Sequence, residues 1–153
     1  MILLSDQESH SRLQDFPGTF ASLMDLYECN YINIRRLITV MPPSQIYRVS
    51  RVADSLNLHL QVIERFRYTT ELSLTYHFYR DTGIVAEPDL RIKVYHDARL
   101  AEVMSAQRRN SPGFGISAEG AKTELRARWR VNRFLYKWLS YCLHQGHRFG
   151  ESV

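Results

Sequence analysis

The sequence lacks the short motifs that carry the most common enzymatic chemistries. Its 153 residues contain no G-x-x-x-x-G-K-[ST] phosphate loop, no G-x-G-x-x-G turn, no H-E-x-x-H and no G-x-S-x-G. These absences set aside P-loop nucleotide hydrolases, dinucleotide-binding domains, zincin proteases and α/β-hydrolases. The residues specify no reaction and no cofactor, so the sequence favours a protein that is not an enzyme.

Cysteine and long apolar runs are also scarce. The two cysteines, Cys29 and Cys142, lie in separate helical patterns, which favours buried thiols over a disulfide. No apolar run approaches the roughly 20 residues that span a bilayer. The opening MILL lacks the basic flank and cleavage site of a secretory signal. We therefore expect a cytoplasmic protein that makes no use of a membrane.

Lysine is rare, and the positive charge is unevenly distributed. Only three of the 20 basic residues are lysines, and the net charge is +4. Residues 107–150 hold nine basic residues and two acidic ones, a balance of +7, so the remainder sums to −3. Arginine suits the planar recognition of phosphate and carboxylate, although a biased genome composition would produce the same preference. The basic segment could meet nucleic acid, an acidic protein or an anionic ligand.

The hydrophobic period changes from helical to strand-like and back along the chain. Residues 1–15 show no period and are interpreted as a mobile arm, whereas residues 16–149 are predicted to form a single α+β domain. A first helix, starting near Thr19, is stopped by Met41-Pro42-Pro43. Five strands follow, a loop covers residues 107–120, and a long helix ends at Gly146. The predicted strands are Ile46–Val52, Leu56–Val62, Glu71–Phe78, Leu90–Tyr95 and Leu100–Ala106, with a longer loop over residues 81–88.

Short connections between consecutive strands favour an antiparallel meander. We therefore predict an α+β fold in which a five-stranded antiparallel sheet carries both helices on one face. Trp129 and Trp138 of the long helix should join Tyr76 and Phe78 in the core.

Four segments, in order, resemble a known family. They are FASLMDLYECNYINIRRL, RYTTEL at residues 67–72, LRIKVYHDARLAEV, and the closing FLYKWLSYCL. Together they resemble the YqiB-like family, small bacterial proteins that carry a domain of unknown function, over roughly residues 16–145. The resemblance implies a cytoplasmic bacterial protein of unassigned activity and brings no catalytic residues with it.

One end of the predicted sheet gathers residues that could bind an anion or perform acid/base chemistry. In a meander, the turn between the second and third strands lies beside the turn between the fourth and fifth. This predicts a candidate ligand site made of Arg67, Tyr68, Thr69, Tyr95, His96 and Asp97. In the simpler interpretation, Asp97 accepts turn N–H groups and pairs with Arg67, and His96 is exposed or caps a strand.

Two further groups of polar residues give weaker functional hypotheses. If Leu100 faces the core, Glu102 does so too, and we expect it to pair with Arg67 or Arg99 or to mark a bulge. Cys142, His144 and His147 have ligand-type side chains but no recognised zinc spacing, and a fourth ligand is missing. A buried cysteine with frayed histidines at a helix end is the favoured interpretation, so no metal is expected.

The long helix carries a basic face, which leaves several functions open. Lys122, Arg126, Arg130, Arg133 and Lys137 share one side of the helix, and Arg108 and Arg109 precede it. We favour a binding or adaptor domain for a protein partner or an acidic ligand. One alternative is a nucleic-acid-binding module that uses this face, and another is a phosphate or nucleotide sensor or enzyme at the sheet end. A homo-oligomer is also possible.

Overall fold

The computed structural model describes residues 19–106 and 118–150 of the chain. Within these ranges, two helices flank a five-stranded antiparallel sheet, which confirms the predicted α+β meander. The proposed arm at residues 1–15 and the arginines Arg108 and Arg109 lie outside the described residues. The elements are α1 (Phe20–Leu37), β1 (Tyr47–Ser50), β2 (Leu58–Arg65), β3 (Thr69–Arg80), β4 (Gly83–Tyr95), β5 (Leu100–Ala106) and α2 (Ala118–Gln145).

Helix α1 begins at the predicted cap and carries its apolar stripe on one side. The Thr19 hydroxyl accepts the Ser22 backbone N–H at 3.2 Å, which satisfies one of the free donors of the first turn. Its buried residues recur at helical spacing, while Arg35 and Arg36 are exposed in the last turn. Neither helix, within the described residues, is long and apolar enough to cross a membrane.

The sheet runs in the order β1-β2-β3-β4-β5, and its buried face follows the predicted alternation. The fully buried side chains of the three central strands include Leu58, Leu60, Val62, Leu72, Leu74, Ile92 and Val94. The predicted loop over residues 81–88 is wrong. A tight turn with Gly83 at a φ of 122° lets β4 begin at that glycine, so β3 and β4 form one long hairpin.

The inward face of β5 is opposite to the one expected. Ala101 and Val103 face the core, whereas Met104 is 48% exposed. Ala101 pairs with Val94 and Val103 pairs with Ile92, which are both core residues of β4, and opposite residues of paired strands share a face. The shift in register comes after Val103 and leaves Met104 unpaired, so it does not set the face of these residues. Glu102 therefore does not enter the main core.

The core consists of a large cluster between the sheet and the helices and a smaller one between the helices. In the large cluster Trp138 packs edge-on against Tyr76, with ring centroids 5.5 Å apart, and Phe78 is partly buried against it. Trp129, however, packs in the smaller cluster with Leu23, Leu26 and Tyr27 of α1. The expectation that both tryptophans share one core was wrong, because α2 is long enough to reach past the sheet onto the first half of α1.

The chain that follows α2 returns to the end of α1. Phe149, which is 6% exposed, donates its N–H to the Leu37 carbonyl at 2.7 Å and accepts the Thr39 N–H at 2.9 Å. The next residue, Gly150, lies so close to Thr39 that an added Cβ would come within 2.9 Å of its hydroxyl oxygen. The last described residues thus hold the segment that leaves α1.

Candidate functional site

A cavity of about 640 Å³ lies where the C-terminal end of α1 meets the β2–β3 turn and the β4–β5 turn. We call it the arginine pocket. Its lining residues are Arg35, Thr39, Val40, Met41, Arg65, Phe66, Arg67 and His96. Three guanidinium groups and one imidazole therefore surround one cavity.

Backbone hydrogen bonds hold the two turns together beneath this pocket. The His96 N–H donates to the Tyr68 carbonyl at 2.8 Å, and the Phe66 N–H donates to the Thr69 carbonyl at 2.7 Å. Thr69 pairs with Tyr95 at the end of the β3–β4 ladder. The expectation that the two turns lie side by side is confirmed.

His96 is held by a second contact through its ring. Its Nε2 lies 2.7 Å from the hydroxyl oxygen of Thr70, which is fully buried. Burial lowers the pKa of His96 below its ordinary value, and the positive charges of Arg65 and Arg35 lower it further, while Asp97 acts in the opposite direction. The ring is thus neutral near pH 7 and held so that it lines the cavity.

The guanidinium groups of the pocket lack acidic partners. Across the described ranges, ion pairs join Arg91 to Glu71 and Arg128 to Glu124, and none includes an arginine of the pocket. Arg65 donates instead to the Met41 carbonyl at 2.9 Å, which fixes its side chain. The arrangement concentrates positive charge around a polar cavity, which is the chemistry that holds a phosphate, sulfate or carboxylate group.

The six residues of the predicted ligand site are divided by the structure. Arg67 and His96 line the arginine pocket. Tyr68 is 53% exposed and lies under the Arg67 guanidinium, 5.2 Å from it, and Asp97 is exposed in its turn. No ion pair joins Arg67 to Asp97 among the residues described.

Tyr95 belongs to a different feature, a groove beside β5. Its hydroxyl donates to Glu102 at 2.6 Å, Tyr27 lies close to the same carboxylate, and Arg128 lies close to Tyr27. The expected pairing of Glu102 with Arg67 or Arg99 is therefore wrong. Burial, with Glu102 nearby, raises the pKa of Tyr27 to about 12. This groove, of about 520 Å³, is mainly apolar and its polar groups bond to one another.

The end of α2 carries a buried histidine rather than frayed ones. His147 is 1% exposed, its Nδ1 lies 2.9 Å from the Ser50 hydroxyl, and burial lowers its pKa. His144 is exposed, and Cys142 is buried with its pKa raised by burial to about 11. No three His, Cys, Asp or Glu side chains group as metal ligands within residues 19–106 and 118–150. The interpretation of His147 as a frayed residue was wrong.

The structure describes the side chains of four residues of the predicted basic face on α2. Arg126 and Arg130 are exposed, and Arg133 and Lys137 are partly exposed. Lys122 lies within the helix, but its side chain is outside the described structure. Phe134 and Tyr141 are 45% and 51% exposed on the same helix.

Sequence reasoning missed most of the pocket. Arg35 was interpreted as an ordinary cation in the last turn of a helix, and Arg65 was placed in the turn between the second and third strands but not assigned to the site. Their convergence depends on how α1 crosses the sheet, which no local pattern contains. A usable signal was the run of Arg65, Phe66 and Arg67 directly after a buried strand.

Comparisons with known proteins agree with the resemblance found in the segments. Over 146 residues, the chain is 30% identical to a protein described as "Uncharacterized protein YqiB" in Escherichia coli strain K12, and equally so to its counterparts in strains O6:H1 and O157:H7. The match covers 88% of this chain and 95% of each relative. No solved structure matches the chain significantly. Residues 33–148 match the model of a protein family of unknown function, DUF1249, and the chain belongs to that family.

Proposed function

We propose that the protein is a non-enzymatic binding domain that takes the anionic group of its ligand into the arginine pocket. The carrying observation is that Arg35, Arg65, Arg67 and His96 line one cavity to which no acidic side chain of the described residues contributes. An adaptor for a protein partner would present its phosphate or carboxylate groups to the same cavity. The cytoplasmic location and the self-association of the chain remain predictions from the sequence.

The charge arrangement supports a ligand rather than a structural role. Guanidinium groups that stabilise a fold are usually paired, because like charges brought together oppose folding. Here Arg65 donates to a main-chain carbonyl and Arg67 lies over the Tyr68 ring, and neither contact neutralises the positive charge. An anion would relieve the repulsion and gain bidentate hydrogen bonds from Arg35 and Arg67.

Isothermal titration with sulfate and with inorganic phosphate at low ionic strength tests the proposal. Each of Arg35→Ala and Arg67→Ala should weaken binding by about tenfold, since a charged hydrogen bond is worth about 1.5–3 kcal/mol. Arg80→Ala is the matched control, because it removes the same charge from an exposed site on the β3–β4 hairpin.

The control should alter the affinity less than twofold. Equal losses of affinity in all three variants would mean that only the net charge of the protein matters, which would contradict the proposal. So would an absence of binding at low salt by a folded protein.

A second candidate, single-stranded nucleic acid binding, is favoured by the exposed aromatic rings on α2. Phe134 and Tyr141 lie one turn beyond Arg130 and Lys137, and such mixtures stack bases while contacting phosphates. Fluorescence anisotropy with a labelled single-stranded RNA should then show an affinity that falls steeply with salt and drops in Arg126→Ala/Arg130→Ala. If the variant binds like the native chain, α2 has no such role.

A further inference from the structure

The arginine pocket has an apolar side as well as a charged one. Met41 is buried, whereas Val40 and Phe66 are 49% and 58% exposed, and all three line the same cavity as the guanidinium groups. Phe66 is the first residue after β2 and stands directly between Arg65 and Arg67 in the chain. A simple anion would make no use of these apolar groups.

We propose that the ligand of the arginine pocket is a nucleoside phosphate, with its phosphate held by Arg35, Arg67 and His96 and its base stacked on Phe66. This inference rests on the proposed function, because it assigns a ligand class to the same site. Arginine forks match phosphate oxygens, and an exposed aromatic ring offers a face on which any base can stack.

The size of the cavity supports a ligand larger than a phosphate group. Pockets for small organic ligands occupy about 300–1,000 Å³, and the arginine pocket, at about 640 Å³, falls within that range. A phosphate alone would occupy only part of this volume. Val40, Met41 and Phe66 belong to the same lining and are available to the rest of a larger ligand.

The hydrogen bond to the His96 ring is compatible with a contact between this ring and the phosphate. The Thr70 hydroxyl engages Nε2 of His96, and if this hydroxyl donates, Nδ1 carries the proton of the neutral ring. The neutral ring then still has a donor for a phosphate oxygen. In that tautomer, binding of the phosphate does not need prior protonation of His96.

Titration of the full chain with AMP, ribose 5-phosphate and adenosine tests the assignment. AMP should bind at least about fivefold more tightly than ribose 5-phosphate, the lower limit expected for stacking of one base. Phe66→Ala should remove that advantage and leave the affinity for ribose 5-phosphate unchanged, whereas Phe66→Trp should retain it. Tyr79→Ala removes a 78% exposed ring far along the β3–β4 hairpin and should leave the affinities for AMP and ribose 5-phosphate unchanged.

The possible failures are distinguishable. If ribose 5-phosphate binds as tightly as AMP, or Phe66→Ala leaves their ratio intact, the nucleoside assignment is wrong while the anion site stands. Octyl phosphate that binds as well as AMP would show that the apolar side selects a flexible chain, which also overturns the assignment. If neither phosphate ester nor inorganic phosphate binds, the proposed function itself fails.

Discussion

Two polar clusters of this protein, the arginine pocket and the contact around Asn132, differ in how their hydrogen-bonding groups are matched. Asn132 is fully buried on α2, accepts the Val103 N–H at 2.9 Å and donates to the Arg128 carbonyl at 2.8 Å. Asn30 of α1 donates to the main-chain carbonyl of Asn132 at 3.2 Å. This cluster joins both helices to β5. Both amide atoms of Asn132 have partners within the protein, whereas the buried Oδ1 of Asn30 has none among the described residues.

The arginine pocket shows the opposite arrangement. Its cations converge on open space, and Arg35 and Arg67 have no acidic partner among the described residues. Buried polar groups that satisfy one another are what a fold needs. Under the proposed function, the charges around the cavity receive an anion that arrives from outside, so substitutions in the two clusters should have different effects.

The largest expected effect is a loss of stability on Asn132→Ala. The change leaves the buried Val103 N–H without a partner and opens a space between α2 and β5, which should lower the free energy of unfolding by about 3 kcal/mol. Urea denaturation measures it. Ser140→Ala is the control, because its exposed hydroxyl bonds only within α2, and it should cost less than about 0.5 kcal/mol. If Asn132→Ala costs equally little stability, the Asn132 cluster does not support the fold more than the arginine pocket does.

His147 is another buried polar side chain with hydrogen-bond partners in the protein, and it makes the stability depend on pH. Its pKa is lowered in the fold, so its contribution is complete above the ordinary value of 6.5 and is lost as the pH falls through the folded pKa. His147→Ala should reduce stability at pH 7.5 by about 2 kcal/mol through lost packing and hydrogen bonds.

Denaturation at pH 7.5 and 5.5 should show that His147→Ala loses less stability on acidification than the native protein does. His144→Ala, at the exposed neighbour, should match the native dependence. If both variants behave alike, His147 is not the titrating group.

Reversing a charge in the arginine pocket should affect binding and stability in opposite directions. Arg67→Glu places a carboxylate near Arg35 and Arg65, which should raise the free energy of unfolding by up to about 1 kcal/mol. The same change should abolish sulfate binding in a titration. Arg80→Glu is the control and should leave both quantities nearly unchanged. If Arg67→Glu proves less stable than this control, Arg67 supports the fold instead.

The smallest expected effect is a pH dependence of sulfate binding through His96. A bound anion favours the charged imidazole and raises its pKa, so binding takes up a proton and the affinity rises as the pH falls below 6.5. Sulfate stays doubly charged in this range, and we expect an affinity gain of about threefold between pH 7.5 and 5.5. His96→Gln should flatten the profile, and an unchanged slope would point to another group.

The sequence predicted the fold better than the site, for physical reasons that particular residues make clear. Alternation in β3 is enough to place Leu72, Leu74 and Tyr76 on one face, because the period belongs to the strand itself. The face of β5 was missed, since it depends on which of its residues pair with Ile92 and Val94 of β4, and the β5 pattern alone does not contain that register. Arg35 was missed as well, because its distance from His96 depends on the packing of a helix against two turns.

The return of the chain to the end of α1 has a consequence for how the pocket can be altered. Phe149 and Gly150 line no part of the cavity, yet they hold Thr39, which does. Substituting Gly150 with alanine would therefore displace Thr39 and change ligand binding at a residue that does not touch the cavity.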